Sequence, residues 1–180
     1  MRVITGIAKG KRLITREGTD VRPTTERVKE ALFSILQFDL EGRRVLDLFA
    51  GSGQLGIEAL SRGAASAVFV DSSAQSIKII QQNLQNTGLS QNAQVVCSDF
   101  ASYLAGNTGT FDIVFLDPPY RKGMLEDAIP LMASRLNAGG SLVCEHPKGT
   151  ELPQAVGNLS RVRTYSYGQI LISLYRGEAS

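Results

Sequence analysis

Apolar residues along this chain follow two rhythms, and they predict different elements. Val28, Ala31, Leu32, Ile35 and Leu36 recur at i, i+3, i+4, i+7 and i+8. This is the stripe of a helix that buries one side. Pro23-Thr24-Thr25-Glu26 opens it, with a threonine as N-cap. From Arg44 onward, short continuous apolar runs alternate with helical stretches. Val45-Leu46-Asp47-Leu48-Phe49, Ala67-Val68-Phe69-Val70, Gln94-Val95-Val96-Cys97, Phe111 to Leu116 and Ser141 to Glu145 are the predicted strands. Helices are expected at Gly53 to Arg62, from Ser73 to Gly88, briefly after Asp99, and at Met124 to Leu136. Asn137-Ala138-Gly139-Gly140 is then expected to turn the chain into the fifth strand.

Continuously apolar strands separated by helices imply a parallel sheet covered on both faces. The C-terminal part differs: Arg161 to Tyr167 and Ile170 to Tyr175 flank Gly168-Gln169 and predict an antiparallel hairpin. The expected fold class is therefore α/β, a Rossmann-like mixed seven-stranded sheet with a parallel core. At the other end, Val3, Ile4 and Ile7 face Leu13 and Ile14 across a turn at Ala8-Lys9-Gly10-Lys11, which reads as a small hairpin. The expected organisation is one domain over residues 1–180. Residues 1–40 are a hairpin and helix appended to a catalytic core at residues 41–180.

Composition narrows the class. With 180 residues, 43% hydrophobic and 20% charged, the chain suits one globular domain with a real core. No apolar run approaches the ~20 residues that cross a bilayer. The basic N-terminus lacks the apolar stretch of a secretory signal. Cys97 and Cys144 lie in strand-like runs and are expected to be reduced, buried packing residues. One histidine and no cysteine cluster leave no expectation of a metal. Net charge is only +2, but its distribution is uneven. Arg2, Lys9, Lys11, Arg12 and Arg16 occur in the first sixteen residues without an acid, so this arm suits an anionic partner.

The first predicted strand runs into Ala50-Gly51-Ser52-Gly53-Gln54-Leu55-Gly56. Gly51, Gly53 and Gly56 match the dinucleotide fingerprint literally, a weak signal alone. Three acids favour S-adenosylmethionine over a dinucleotide. Asp47, inside the strand end, suits the amino group of a methionine moiety, where a pyrophosphate would gain nothing from a nearby carboxylate. Asp71 after the second strand suits ribose hydroxyls and would serve either cofactor. Asp99 after the third suits the adenine amino group, with Phe100 packed on the ring. Phe49 and Ala50 of the loop and Ser72 beside Asp71 complete the expected cofactor contacts. Each acid alone could be an N-cap or turn residue. Together they mark the edge where open α/β sheets bind ligands.

The fourth strand ends in Asp117-Pro118-Pro119-Tyr120, the expected catalytic loop. Two prolines stiffen it and remove two backbone donors, which leaves the Asp117 carboxylate and the Pro118 carbonyl as fixed acceptors. An amino group on a base ring is a poor nucleophile because its lone pair is delocalised. Two acceptors can hold both its hydrogens and favour a pyramidal nitrogen, while Tyr120 stacks on an extruded base. Arg121 and Lys122 follow as candidate phosphate contacts, alongside Lys9, Lys11, Arg12 and Arg16.

With these residues assembled, the chain resembles the RsmD family of 16S rRNA (guanine-966-N2)-methyltransferases over essentially its whole length. The resemblance rests on Gly10-Lys11-Arg12-Leu13, Arg22-Pro23-Thr24-Thr25, Arg27 to Phe33, Val45 to Gly53, Glu58 to Ala64 and Phe115 to Tyr120. It implies a class I methyltransferase fold, S-adenosylmethionine as cofactor, and guanine N2 in 16S rRNA of the small ribosomal subunit or an assembly intermediate as acceptor. It also implies that Arg22 and Thr24 lie near the methionine end of the cofactor. A monomer acting in the cytoplasm without membrane contact is expected. The family commonly has glutamate where this chain has Asp71, so its ribose contact is expected to be looser or water-mediated.

Other readings stay open on the residues alone. The loop chemistry equally suits an adenine-N6 methyltransferase acting on DNA or RNA. The glycine fingerprint also admits a dinucleotide-dependent oxidoreductase, and the basic arm a non-catalytic RNA-binding module. His146 is expected to be structural or solvent-facing, and Tyr165, Tyr167 and Tyr175 to be packing residues.

Overall fold

The computed structural model describes residues 1–16, 24–106, 109–119 and 123–178. In chain order the elements are α1 (Thr24–Ile35), β1 (Arg44–Asp47), α2 (Gln54–Ser61), β2 (Ser66–Asp71), α3 (Ala74–Thr87), a 3-10 turn (Ser90–Asn92), β3 (Ala93–Cys97), α4 (Phe100–Ala105), β4 (Phe111–Leu116), α5 (Met124–Met132), β5 (Leu136–Pro147), β6 (Ala155–Val156), β7 (Leu159–Tyr167) and β8 (Ile170–Gly177). They build one sheet in the order β3-β2-β1-β4-β5-β8-β7-β6. The first five strands in that order are parallel, and β8, β7 and β6 join antiparallel. Strand order reverses between β1 and β4, so a crevice opens at their carboxyl ends.

Helices cover both faces because the inner strands are apolar on both. Val28, Leu32 and Phe33 of α1, with Leu36 just after it, join apolar residues of α2 and α3 in one buried cluster, to which Val3, Ala8 and Leu13 of the N-terminal arm also belong. On the opposite face, Leu104 of α4 and Leu125, Ala128, Ile129 and Met132 of α5 pack against Leu46, Val114 and Leu142. Local signals place the helix ends. Ser73 caps α3 by accepting a hydrogen bond from the Ser76 N–H, and Gly88 in a left-handed conformation closes it.

Three expectations need correction. The sheet has eight strands rather than seven, because the two-residue β6 adds to the edge of β7. Too short to show a period, β6 owes its place to its neighbour. Residues 137–140 do not form a turn before the fifth strand, and α5 ends at Met132 rather than Leu136. The strand instead begins at Leu136 and carries a bulge, since pairing jumps from Phe111↔Leu136 to Ile113↔Ser141. Asn137 secures the irregular stretch by donating to Asp112 Oδ1 at 2.9 Å. Finally, Cys97 is exposed although Cys144 is buried, because β3 is an edge strand; both thiols are free.

The arm is hairpin-like. Arg2 and Arg12 form an antiparallel bridge, and Val3 N–H donates to the Lys11 carbonyl at 2.9 Å.

Candidate active site

The glycine loop leaves β1 at the crevice. Gly51 and Gly53 have φ of 58° and 83°, backbone that side-chain-bearing residues rarely adopt. Gly56 is needed for a different reason: a Cβ there would lie 2.4 Å from the Phe69 ring of β2. Its N–H donates to Asp47 Oδ2 at 3.0 Å, so close helix–strand packing also fixes that carboxylate.

Asp47 is 1% exposed, and its Oδ1 has no hydrogen-bond partner among the described residues. Burial pushes its pKa up to about 7; the Gly56 N–H opposes this, and the nearby Asp71 charge adds to it. A buried carboxylate oxygen without a partner is costly unless something cationic meets it. The amino group of a methionine moiety is such a group, so the donor set fits S-adenosylmethionine here. Gln54, which sequence reasoning missed, offers a second buried oxygen without a partner, Oε1, at the start of α2.

Asp71 is already engaged at both oxygens. Oδ2 accepts from Gly51 N–H and Oδ1 from Ser73 N–H, each at 2.9 Å. Two lone pairs per oxygen leave room for ribose hydroxyls, but Asp71 first holds the loop in place. Ser72 beside it is exposed. Asp99 caps α4, its Oδ1 accepting from Ser102 N–H at 2.9 Å, and this bond holds its pKa below the usual carboxylate range. Phe100 follows as the first residue of α4 and packs on Phe49, ring centroids 5.3 Å apart and tilted by 54°. The structure therefore brings Phe49 and Phe100 together as one half-buried aromatic surface beside Asp99. Ala50 is buried, its N–H donating to the Val70 carbonyl at 2.9 Å.

Asp117 follows β4 directly, next to β1 in the sheet. Pro118 is buried and Pro119 exposed. A cavity of about 490 Å³ opens beside both prolines, bounded by the start of α5, the end of β5 and residues 147–151. Glu126, Glu145 and Glu151 line it, together with Lys148. Its volume is that of an ordinary small-ligand site. His146 also lines it but is 2% exposed, with Nε2 2.8 Å from Ser173 Oγ and a pKa lowered by burial. It is a packed, structural histidine rather than a solvent-facing one. Tyr175 is fully buried, its hydroxyl donating to the Pro153 carbonyl, and Tyr165 and Tyr167 pack half-buried on the core.

Lys9, Lys11, Arg12 and Arg16 are exposed on the arm. Arg22, Tyr120, Arg121 and Lys122 lie outside the described residues, as does the side chain of Thr24. No group of acids, cysteines or histidine suited to a metal ion occurs among the described residues.

A glycine loop at the switch point, acids after successive parallel strands and antiparallel closing strands define the fold of class I methyltransferases. Known proteins agree. The family profile described as "Conserved hypothetical protein 95" matches residues 1–176. The chain is 41% identical to the putative rRNA methyltransferase YlbH of Bacillus subtilis, covering 98% of each chain. It is 38% identical to ribosomal RNA small subunit methyltransferase D of Escherichia coli K12, covering 99% of this chain and 91% of that one. The solved structure of the putative methyltransferase yhhF from Escherichia coli superposes with a TM-score of 0.87 at 37% identity, covering 100% and 99% of the two chains. The chain belongs to the RsmD family.

Proposed function

We propose that this protein transfers a methyl group from S-adenosylmethionine to the exocyclic N2 of guanine 966 in 16S rRNA of the small ribosomal subunit. The observation that carries the reading is adjacency. The Asp117-Pro118-Pro119 loop ends β4 beside β1, whose glycine loop and unpartnered Asp47 oxygen suit the methyl donor.

S-adenosylmethionine, when bound, supplies a methyl group on a sulfonium leaving group. The protein's own residues then have three tasks. Asp47 holds the ammonium end of the donor, and Asp71, Asp99, Phe49 and Phe100 hold its nucleoside end. The Asp117 carboxylate and the Pro118 carbonyl accept the two hydrogens of the base amine, which frees its lone pair. Asp117 also receives the proton that nitrogen releases. Because the leaving group is good, most of the acceleration comes from positioning.

The cavity beside the loop supports guanine over adenine. The Watson–Crick edge of guanine presents N1–H beside its N2 amino group, two neighbouring donors. Adenine presents a lone pair at N1. A cavity lined by Glu126, Glu145 and Glu151 offers acceptors for these two donors, and Lys148 of the same lining suits the O6 acceptor beside them. The exposed basic residues of the arm, with Arg121 and Lys122, carry the RNA backbone.

Asp117→Ala tests the assignment of the loop. Methyl transfer to small subunits lacking the modification should fall by a factor of roughly 100 or more, while S-adenosylhomocysteine binding, measured by calorimetry, stays within twofold. Retained transfer would remove Asp117 from the chemistry.

A further inference from the structure

The arm and the glycine loop are not adjacent in sequence, yet one buried amide joins them. Asn83 of α3 is 0% exposed. Its Oδ1 accepts from the Ile14 N–H at 2.8 Å. Its Nδ2 donates to the Ile14 carbonyl at 2.9 Å and to the Ser52 carbonyl at 2.9 Å. Asn83 thus reads both backbone groups of one arm residue, as a neighbouring strand would, and spends its remaining hydrogen on the middle of the glycine loop. Two other polar side chains also hold the arm. Glu58 takes the N–H groups of Ile4 and Thr5, and Ser61 takes that of Ala8, but both sit on α2 away from Ser52.

We propose that Asn83 is a positioning residue for the cofactor loop, and that the arm, through Ile14, holds Asn83 in the rotamer that does so. The inference rests on the reading of residues 50–53 as the S-adenosylmethionine loop. A side-chain amide with three short bonds is fixed in one orientation. If Ile14 is lost, two of those bonds go and the amide is free to rotate away from Ser52. The Ser52 carbonyl then loses its donor, and the loop, whose Gly51 and Gly53 are already in left-handed backbone, loses an anchor. The arm that carries Lys9, Lys11, Arg12 and Arg16 is therefore part of the cofactor site's scaffold.

Calorimetric titration of the full chain with S-adenosylhomocysteine tests this in four proteins. Wild type must bind; if it does not, the cofactor reading itself fails, separately from this inference. Asn83→Ala removes all three bonds. Ile14→Pro removes only the arm's donor, at an exposed position outside any helix or strand, and decides the matter alone should Asn83→Ala fail to fold. Ser61→Ala loosens the arm without touching the loop. The expected result is a Kd weakened roughly tenfold by Asn83→Ala and several-fold by Ile14→Pro, with Ser61→Ala within twofold of wild type even though its melting temperature falls. Equal weakening by all three folded variants, or a Kd unchanged in Asn83→Ala or Ile14→Pro, would overturn the proposal.

Discussion

At the residue scale, Asp47 is a buried carboxylate that costs the fold stability. Its pKa rises from 3.8 to about 7 because burial penalises the charged form. A raised carboxyl pKa means the folded protein holds the proton more tightly than the unfolded chain. The stabilising contribution is therefore full below about pH 4 and is lost as pH rises through about 7. Asp47→Asn should melt at a higher temperature than wild type near pH 8, and at a similar one near pH 4, in paired thermal denaturation. The same variant should bind S-adenosylhomocysteine poorly, because an amide cannot neutralise an ammonium. In wild type, binding should weaken as pH falls below about 7, since protonating Asp47 removes the charge that the ammonium meets. Gly56 sits at the same scale. Gly56→Ala drives a methyl into Phe69 and should cost about 1–3 kcal/mol in chemical denaturation.

At the element scale, the arm, α1 and α2 meet at one buried ionic group. Glu58 is 0% exposed and accepts from Ile4 N–H at 2.8 Å, Thr5 N–H at 3.0 Å and Arg62 Nε at 3.0 Å, with Lys29 Nζ at 3.6 Å. Lys29, itself buried with its pKa lowered by desolvation, also donates to the Arg2 carbonyl. Glu58→Ala leaves that lysine without its counter-charge and two amides without their acceptor. It should cost about 3–5 kcal/mol and speed amide exchange at Ile4 and Thr5 before the rest of the sheet.

Elements legible in the sequence are those with a period of their own. The α1 stripe, the five parallel strands and the β7–β8 hairpin all carry it. The start of β5 does not, because Gly139-Gly140 reads as a turn and becomes a bulge only against Asp112 and Phe111. Cys97 reads as buried because apolar neighbours mark a strand without saying whether it lies at an edge. The acids at strand ends are legible through position alone. Asn83 is not, since a lone asparagine in a helix carries no sign of two backbone partners 69 and 31 residues away in sequence.

At the scale of the whole molecule, the carboxyl ends of the parallel strands and the exposed basic arm are the two surfaces on which the proposed function depends. Replacing Lys9, Lys11 and Arg12 together by alanine should weaken RNA binding and flatten its salt dependence in filter-binding titrations. The log–log slope should fall by roughly one unit for each phosphate that is no longer neutralised. S-adenosylhomocysteine binding should not change, because none of these side chains reaches the glycine loop.

The most direct measurement is the identity of the methylated nucleoside. Small subunits from cells lacking the modification are incubated with the purified protein and labelled S-adenosylmethionine. Their rRNA is then digested to nucleosides and resolved by mass spectrometry. The proposed function predicts N2-methylguanosine, and the family resemblance places it at guanine 966. N6-methyladenosine as the only product, or no labelled nucleoside at all, would contradict it.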